Sequence, residues 1–585
     1  MKKRTMSILA LLLTILVLLS ACSTGSPNTT PSSDTSAAEN ATSSPNNPQS
    51  DTSNNSPDTS VSEAPASPKN VDVLRIGMSR PNDVFSAWSQ SGVYGNANYH
   101  SFCQLNFWRI GENGQLTGDG CFFKKWDISD DNTEMVLHFD PLGKLMWHDG
   151  NPVTIDDVIF SFEHYKQNNV SSFRRIESVE VVSDTSILVK LNEPTAFGFM
   201  HGTWLTSYIM PKHIWENIEE PQTYRGADAA IGCGPFRLVS VDENAQISYY
   251  EAMPDYPIGN ITIDKVELKS YDSPSSIIMA MLRDEVDVIY TYSAPTDHTL
   301  LPMIENDPNI DPGASVDPAT FQFVFGMDLF PTSDINFRKA VVNALDYEQI
   351  SQSISGVYGE VASTAAASPS QVGFNNDLPK NTRDLDKARE FLDSGGYIDV
   401  DGDGFRELPD GSPLDLSILM HYMPVDLVPK YRRIIEIMGV NLAEVGVRVH
   451  GDEQALADNR EYVRDTWLNN NYYFFLGTTT LSTATWGGIA NYVADLPTLA
   501  TSSFGTYRDP EYLDNYTKML TSTNYNDYSA AYKEIQRMNS ERSLAVVFDV
   551  TTAFHPYRSD RLTGWMNLPG MGVINGAAWY NTVLK

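Results

Sequence analysis

The sequence predicts a mixed α/β (α+β) protein of more than one lobe, on three observations. Segments with strand alternation and segments with helical spacing are interleaved along the chain. No fixed repeat period runs through them, which sets solenoids and propellers aside. The length of 585 residues, with 41% hydrophobic and 11% aromatic residues, suits a large core divided between lobes.

The first segment reads as an export address. Lys2, Lys3 and Arg4 precede an apolar run over 8–19 interrupted only by Thr14, too short for the roughly 20 helical residues that span a bilayer. Leu19-Ser20-Ala21-Cys22 closes it and resembles the bacterial lipobox. The resemblance implies that 1–22 is a lipoprotein signal peptide, that Cys22 is lipidated on sulfur, and that the protein works at the outer face of the cytoplasmic membrane. A plain signal peptide is the alternative. Over 23–70, 34 of 48 residues are Ser, Thr, Pro or Asn, and none is aromatic. Such a segment cannot bury enough apolar surface to offset its ordering entropy. It is expected to be a disordered tether, with an end-to-end distance of roughly 40 Å.

The folded elements follow in order. An alternating stretch predicts a strand over 71–78. Residues 126–147 predict a meander, with strands over 134–139 and 144–147 around Asp140-Pro141-Leu142-Gly143 and a tight turn at His148-Asp149-Gly150. Thr154 as N-cap, Asp156 and Asp157 in the first turn, and Val158, Ile159, Phe162 and Tyr165 on one face predict a helix over 155–167. A hairpin over 179–191 and a strand over 260–271 come next. Asp334 and Asp346 read as N-caps of two successive helices, and 385–394, 428–445 and 528–540 carry helical spacing. Short apolar runs over 414–420, 447–450 and 544–550 read as strands.

Charge and cysteine content narrow the function. Asp and Glu number 74 against 41 Lys and Arg, a formal net charge of −33, which repels nucleic acid and anionic head groups. Four cysteines are too few for a disulfide scaffold. Cys103 and Cys121 could pair, or remain two buried thiols, and Cys233 stays unpaired either way. No Gly-x-Ser-x-Gly, no phosphate-binding Gly-x-x-x-x-Gly-Lys and no His-Glu-x-x-His occurs, and the chain is expected not to be an enzyme. Asp399, Asp401 and Asp403, with Gly404 and Asp410, have the spacing of a calcium loop. A structural Ca²⁺ or an Asp/Gly-rich surface turn are the two readings, and no other cofactor is expected.

Trp126-Asp127-Ile128-Ser129-Asp130-Asp131, Leu137-His138-Phe139 and Trp147-His148-Asp149-Gly150-Asn151-Pro152-Val153-Thr154 stand in order with Gly232-Cys233-Gly234-Pro235-Phe236, Glu285-Val286-Asp287-Val288 and Phe337-Arg338-Lys339-Ala340. Together these blocks resemble family 5 of the bacterial extracellular solute-binding proteins, the peptide, nickel and oligosaccharide receptors of ABC importers. The resemblance implies a two-lobed clamp of the periplasmic-binding-protein type: lobe I over 71–315 with an extra subdomain over about 127–225, lobe II over 316–550, and a return to lobe I over 551–585. Its hinge crossings are expected near 312–320 and 548–555.

It also implies a monomeric, lipid-anchored receptor that hands a peptide-like solute to ABC permease and ATPase subunits. An oligosaccharide receptor, or a surface sensor or adhesin without an importer, is the alternative. Peptide receptors of the family hold the ligand's ammonium with an aspartate near a tryptophan. Here Trp486 is present, but no acidic residue lies between Asp465 and Asp495, and Thr478, Thr479 and Thr480 stand in that stretch. Trp88, Tyr94, Tyr99, Trp204, Thr478 and Trp486 are the candidate ligand contacts, the aromatics suiting either an apolar wall or sugar stacking.

Overall fold

The chain enters its main lobe I sheet at Leu74–Met78, which pairs in parallel with Lys265–Ser270 on one side and Val288–Tyr290 on the other. The structure is a computed structural model and describes residues 69–79, 103–168, 170–201, 207–221, 223–224, 226–290, 296–421, 428–457, 459–480, 488, 490–495, 505–569 and 572–585. The full sheet has seven strands, in the order Ile310–Asp311, Tyr557–Arg558, Val288–Tyr290, Leu74–Met78, Lys265–Ser270, Ile247–Ala252, Phe236–Asp242. Leu74, Ile76, Val266, Leu268 and Val288 close one face with Trp579, so the C-terminal residues complete lobe I.

A buried carboxylate fastens that return. Asp287 is fully buried and accepts from the Arg75 backbone N–H at 2.8 Å, from Arg75 Nε at 3.1 Å and Nη2 at 2.7 Å, and from Arg561 Nη1. Arg561 also donates to the carbonyl of Val73. The first strand, the Glu285-Val286-Asp287-Val288 block and the C-terminal return are thereby joined at one point.

The extra subdomain is a four-stranded antiparallel sheet, in the order Phe123–Ile128, Glu134–Phe139, Ser186–Leu191, Ile176–Ser183. The helix Ile155–Gln167 starts at a capping box between Thr154 and Asp157. The expected strand over 144–147 does not form. A 3₁₀ turn over Leu142–Lys144 leads into a tight loop in which Trp147 N–H bonds the Asn151 carbonyl, and Glu134–Phe139 pairs with Phe123–Ile128 and Ser186–Leu191 instead. Local alternation was overridden by the Pro141 and Gly150 turns on either side. His148 ties two sequence blocks together: its Nδ1 accepts from Gly232 N–H at 3.3 Å and its Nε2 donates to the Gly234 carbonyl at 3.1 Å.

Lobe II is built on a five-stranded sheet, in the order Arg448–Gly451, Asp415–Met420, Phe474–Thr480, Ala319–Phe325, Ala545–Val547. The helices Ile335–Ala344 and Tyr347–Ser355 start at Asp334 and Asp346, whose side chains accept from Asn336 N–H and Gln349 N–H. Phe323, Phe474, Phe337, Tyr431 and Tyr532 share its core. Arg338 is buried and donates to the carbonyls of Thr332, Ser333, Arg542 and Ser543. Its charge therefore sits at the negative end of the helix Tyr525–Arg542, which terminates at left-handed Ser543.

Cys103, Cys121 and Cys233 are buried free thiols, so the open question of a Cys103–Cys121 bridge resolves to separate thiols. Burial pushes Cys103 and Cys121 up to about 12. Among the described residues no helix is long and apolar enough to cross a membrane.

Replacing Asp287 by Ala leaves two arginines and a backbone N–H without their common acceptor. Urea unfolding is expected to show a loss of about 3 kcal/mol. An unchanged midpoint would contradict the anchoring role.

Candidate functional site

Two chain crossings connect the lobes, and they are paired with each other. Ala314–Val316 runs out of lobe I antiparallel to Asp549–Phe554 coming back, with Ala314 opposite Phe554, Ser315 opposite Ala553 and Val316 opposite Thr552. Asp317 N–H extends the ladder to the Thr551 carbonyl at 2.8 Å. Gly313 starts the crossing with φ +62°, and a Cβ there would lie 2.2 Å from the His555 carbonyl oxygen, so only glycine fits. On the other edge of the returning strand, Gly359–Val361 pairs with Asp549–Thr551.

The crossings bury two carboxyl groups. Asp549 Oδ2 accepts from Ser355 Oγ at 2.5 Å and Thr551 Oγ1 at 2.8 Å, and Asp317 Oδ1 accepts from Ala319 N–H at 2.8 Å. Burial raises the Asp317 carboxyl to about 6; Ala319 N–H and the Lys430 charge oppose that rise and Asp549 adds to it. Burial also raises Asp549, opposed by Ser355, Thr551, Lys430 and His298. The His298 ring approaches the Thr552 carbonyl through Nε2 at 2.9 Å, and Lys430 Nζ donates to the Ile354 carbonyl at 3.2 Å.

Polar side-chain atoms without partners gather at the same place. Ser315 Oγ, Thr296 Oγ1, Asn567 Oδ1 and Trp565 Nε1 are closed off from solvent and make no hydrogen bond. Asn567 Nδ2 is fixed on the Gly313 and Ala314 carbonyls at 2.9 and 3.1 Å, and Thr296 N–H on the Phe554 carbonyl at 2.9 Å. Hydroxyls, an amide oxygen and an indole N–H form a neutral mixed donor and acceptor set. Such groups are costly to leave unpaired.

The structure places the sequence candidates unevenly. Thr478 lies in the strand Phe474–Thr480, opposite Phe321, and Thr480 stands opposite Ala319, two residues past Asp317. The three threonines therefore end at the hinge side of the lobe II sheet. Trp88, Tyr94, Tyr99, Trp204, Trp486 and Cys22 lie outside the described residues. Asp399, Asp401 and Asp403 bring three carboxylate oxygens within 4.8 Å of one another. Asp410 does not join them: its carboxylate caps its own turn, accepting from Ser412 N–H at 3.0 Å and Ser412 Oγ at 2.6 Å. The acids flanking the threonine stretch are already paired, Asp495 with Arg508 and Asp465 with Arg464. Sequence reasoning missed Asp317, Asp549 and the hinge polar groups, which no local motif marks.

Two α/β lobes joined by a pair of crossing strands define a clamp-type binding protein, and comparison places it among known ones. Residues 121–488 match the family described as bacterial extracellular solute-binding proteins, family 5 middle. The chain belongs to the bacterial extracellular solute-binding proteins of family 5. A putative ABC transporter peptide-binding protein of Brucella ovis is 25% identical over 351 residues, 56% of this chain and 59% of that protein. The chain thus spans about three fifths of the length of the first curated relatives it matches. The oligopeptide-binding protein AppA of Bacillus subtilis, solved with a nonapeptide, has a TM-score of 0.63 at 17% identity, over 89% of this chain and 100% of that one. The mannohexaose-bound periplasmic oligopeptide-binding protein of Thermotoga maritima has a TM-score of 0.63 at 19% identity, over 88% of this chain and 99% of that one. These two likenesses show the fold.

The titrating groups give a signed pH dependence. Burial holds His148, His164 and His555 down at about 4, from 6.5. Between those values the unfolded chain binds protons that the folded one does not, so stability falls on acidification. Asp317 has the opposite sign: raised from 3.8 to about 6, its share is fully present below 3.8 and is lost as pH rises through 6. Asp317→Asn is therefore expected to stabilise the protein at pH 7.5 by roughly 2 kcal/mol and to steepen the loss between pH 6 and 4. Thermal unfolding across that range checks it, and a variant less stable than wild type at pH 7.5 would refute the assignment.

Proposed function

We propose that the protein is the extracellular substrate-binding component of an ABC importer, capturing a peptide-like solute between its lobes and delivering it to a permease. The observation that carries this reading is the paired crossing at 314–316 and 549–554, which lets two otherwise separate sheets move as rigid bodies about one short ladder. Ligand held by both lobes stabilises the closed form by its differential affinity, and a permease can sense closure. The protein acts as a monomer without catalysis, held at the outer face of the membrane by lipid on Cys22, with 23–70 as tether.

The solute is recognised mainly through neutral hydrogen bonds. Ser315, Thr296, Asn567 and Trp565, closed off from solvent in this form, would offer such contacts once opening at the hinge exposes them, and Asp465 and Asp495 are both engaged by arginine. A free ammonium entering the closed cleft would shed its hydration without a dedicated countercharge from that stretch. Calorimetry with matched free and N-acetylated tripeptides is expected to give dissociation constants within a few fold of one another. Tight binding abolished by acetylation would sink the neutral reading. The same unpaired hydroxyl and amide groups favour a second reading, an oligosaccharide, and binding of a manno-oligosaccharide with no measurable binding of either tripeptide would establish it.

Asp399, Asp401 and Asp403 are proposed to bind a structural Ca²⁺, with Asp410 outside the ligand set. Their oxygens converge, and Gly402 and Gly404 adopt φ of +79° and +93° in the loop. Binding to the folded state alone raises the melting temperature. Millimolar Ca²⁺ is expected to raise it relative to excess chelator in wild type and Asp410→Ala, but not in Asp401→Ala. Equal curves in wild type leave a plain surface turn.

A further inference from the structure

The lobes also touch outside the hinge ladder, through the turn between the helices Pro510–Leu520 and Tyr525–Arg542 of lobe II. Leu116 N–H, in the short lobe I hairpin Arg109–Ile110/Leu116–Thr117, donates to Tyr525 Oη at 2.6 Å. The Phe197 ring meets the Tyr525 ring edge-on, with centroids 5.1 Å apart and planes at 79°. Asn132 Nδ2 donates to the Ser522 carbonyl at 3.3 Å and to the Pro194 carbonyl at 3.4 Å.

Both sides of this contact are held in shape. Asn132 is 2% exposed and left-handed, with φ +59°. Its Oδ1 accepts from Phe197 N–H at 3.1 Å and its carbonyl from Ala196 N–H at 3.1 Å, so the residue that reaches lobe II also positions Phe197. Opposite, Asn524 caps the long helix by accepting from Asn526 and Asp527 N–H, and Ser522 Oγ donates to the Lys518 carbonyl at 2.7 Å. Tyr528, Ala531, Tyr532 and Ile535 root that helix in the lobe II core. Among the described residues, two hydrogen bonds and one aromatic pair thus join surfaces that no strand pairing or core cluster connects.

We propose that this turn is a latch that docks Tyr525 and the Ser522 carbonyl on Leu116, Phe197 and Asn132 and biases the ligand-free clamp toward its closed form. The inference rests on the clamp reading. In an open clamp the same groups are hydrated, so each hydrogen bond contributes its net value, a factor of about 2–10 in the closed-to-open ratio. The latch thereby raises the fraction of protein that is ready to hold solute.

The test is double electron–electron resonance on the ligand-free full chain, spin-labelled at Lys144→Cys in lobe I and Lys518→Cys in lobe II, with Cys22→Ser. Both lysines are exposed, and the three remaining thiols are buried. Tyr525→Phe keeps the ring and removes the acceptor; Asn132→Gly keeps the left-handed backbone and removes the amide. Each variant is expected to raise the open-to-closed ratio about 2–10-fold. Two distance populations in unchanged proportion across wild type and both variants overturn the latch and leave the clamp standing. One fixed distance in all three overturns the latch; where it is the distance of this structure the contact is a static interface and the clamp falls too, and where it is longer the clamp stands.

Discussion

The antiparallel pairing of Ala314–Val316 with Asp549–Phe554 ties the seven-stranded sheet of lobe I to the five-stranded sheet of lobe II, because each crossing is held by the other's backbone. A single crossing would leave the lobes tethered by a flexible strand. Two crossings locked by backbone hydrogen bonds restrict relative motion to bending and twisting about one axis. The local chemistry enforces the geometry: Gly313 passes against the His555 carbonyl where no side chain fits, and Gly359 leaves room for the Asp549 carboxylate. Burying Asp317 beside Asp549 costs stability near neutral pH.

The sequence blocks that mark the family are scaffold devices when followed to their atoms. His148 bonds Gly232 and Gly234 and so joins two blocks 84 residues apart. Asp287 gathers Arg75 and Arg561, and Arg338 caps the C-terminal end of the helix that carries Tyr525. Each of these side chains is thus engaged in holding the fold together.

Legibility in the sequence followed the range of the interaction. The helices Ile155–Gln167 and Leu385–Ser394 were readable to the residue, because a capping side chain and an apolar stripe lie within one or two turns. The carboxylates of Asp399, Asp401 and Asp403 converge as their spacing implies, while the Asp410 carboxylate turns to Ser412, two residues on. The strand over 144–147 failed for the same reason in reverse: flanking turns outweighed alternation. The Asp317–Asp549 pair spans 232 positions, and no spacing rule reaches that far. Order and spacing of many weak blocks together identified the clamp where single motifs did not.

Closure of the lobes about this hinge on a bound solute is the proposed motion from which capture and delivery follow. Small-angle X-ray scattering of the protein purified with its own solute, then stripped by unfolding and refolding, measures that closure directly, with native mass spectrometry counting the solute. The solute-bound sample is expected to have a smaller radius of gyration than the stripped one. Superimposable scattering curves from fully bound and fully stripped protein would contradict it.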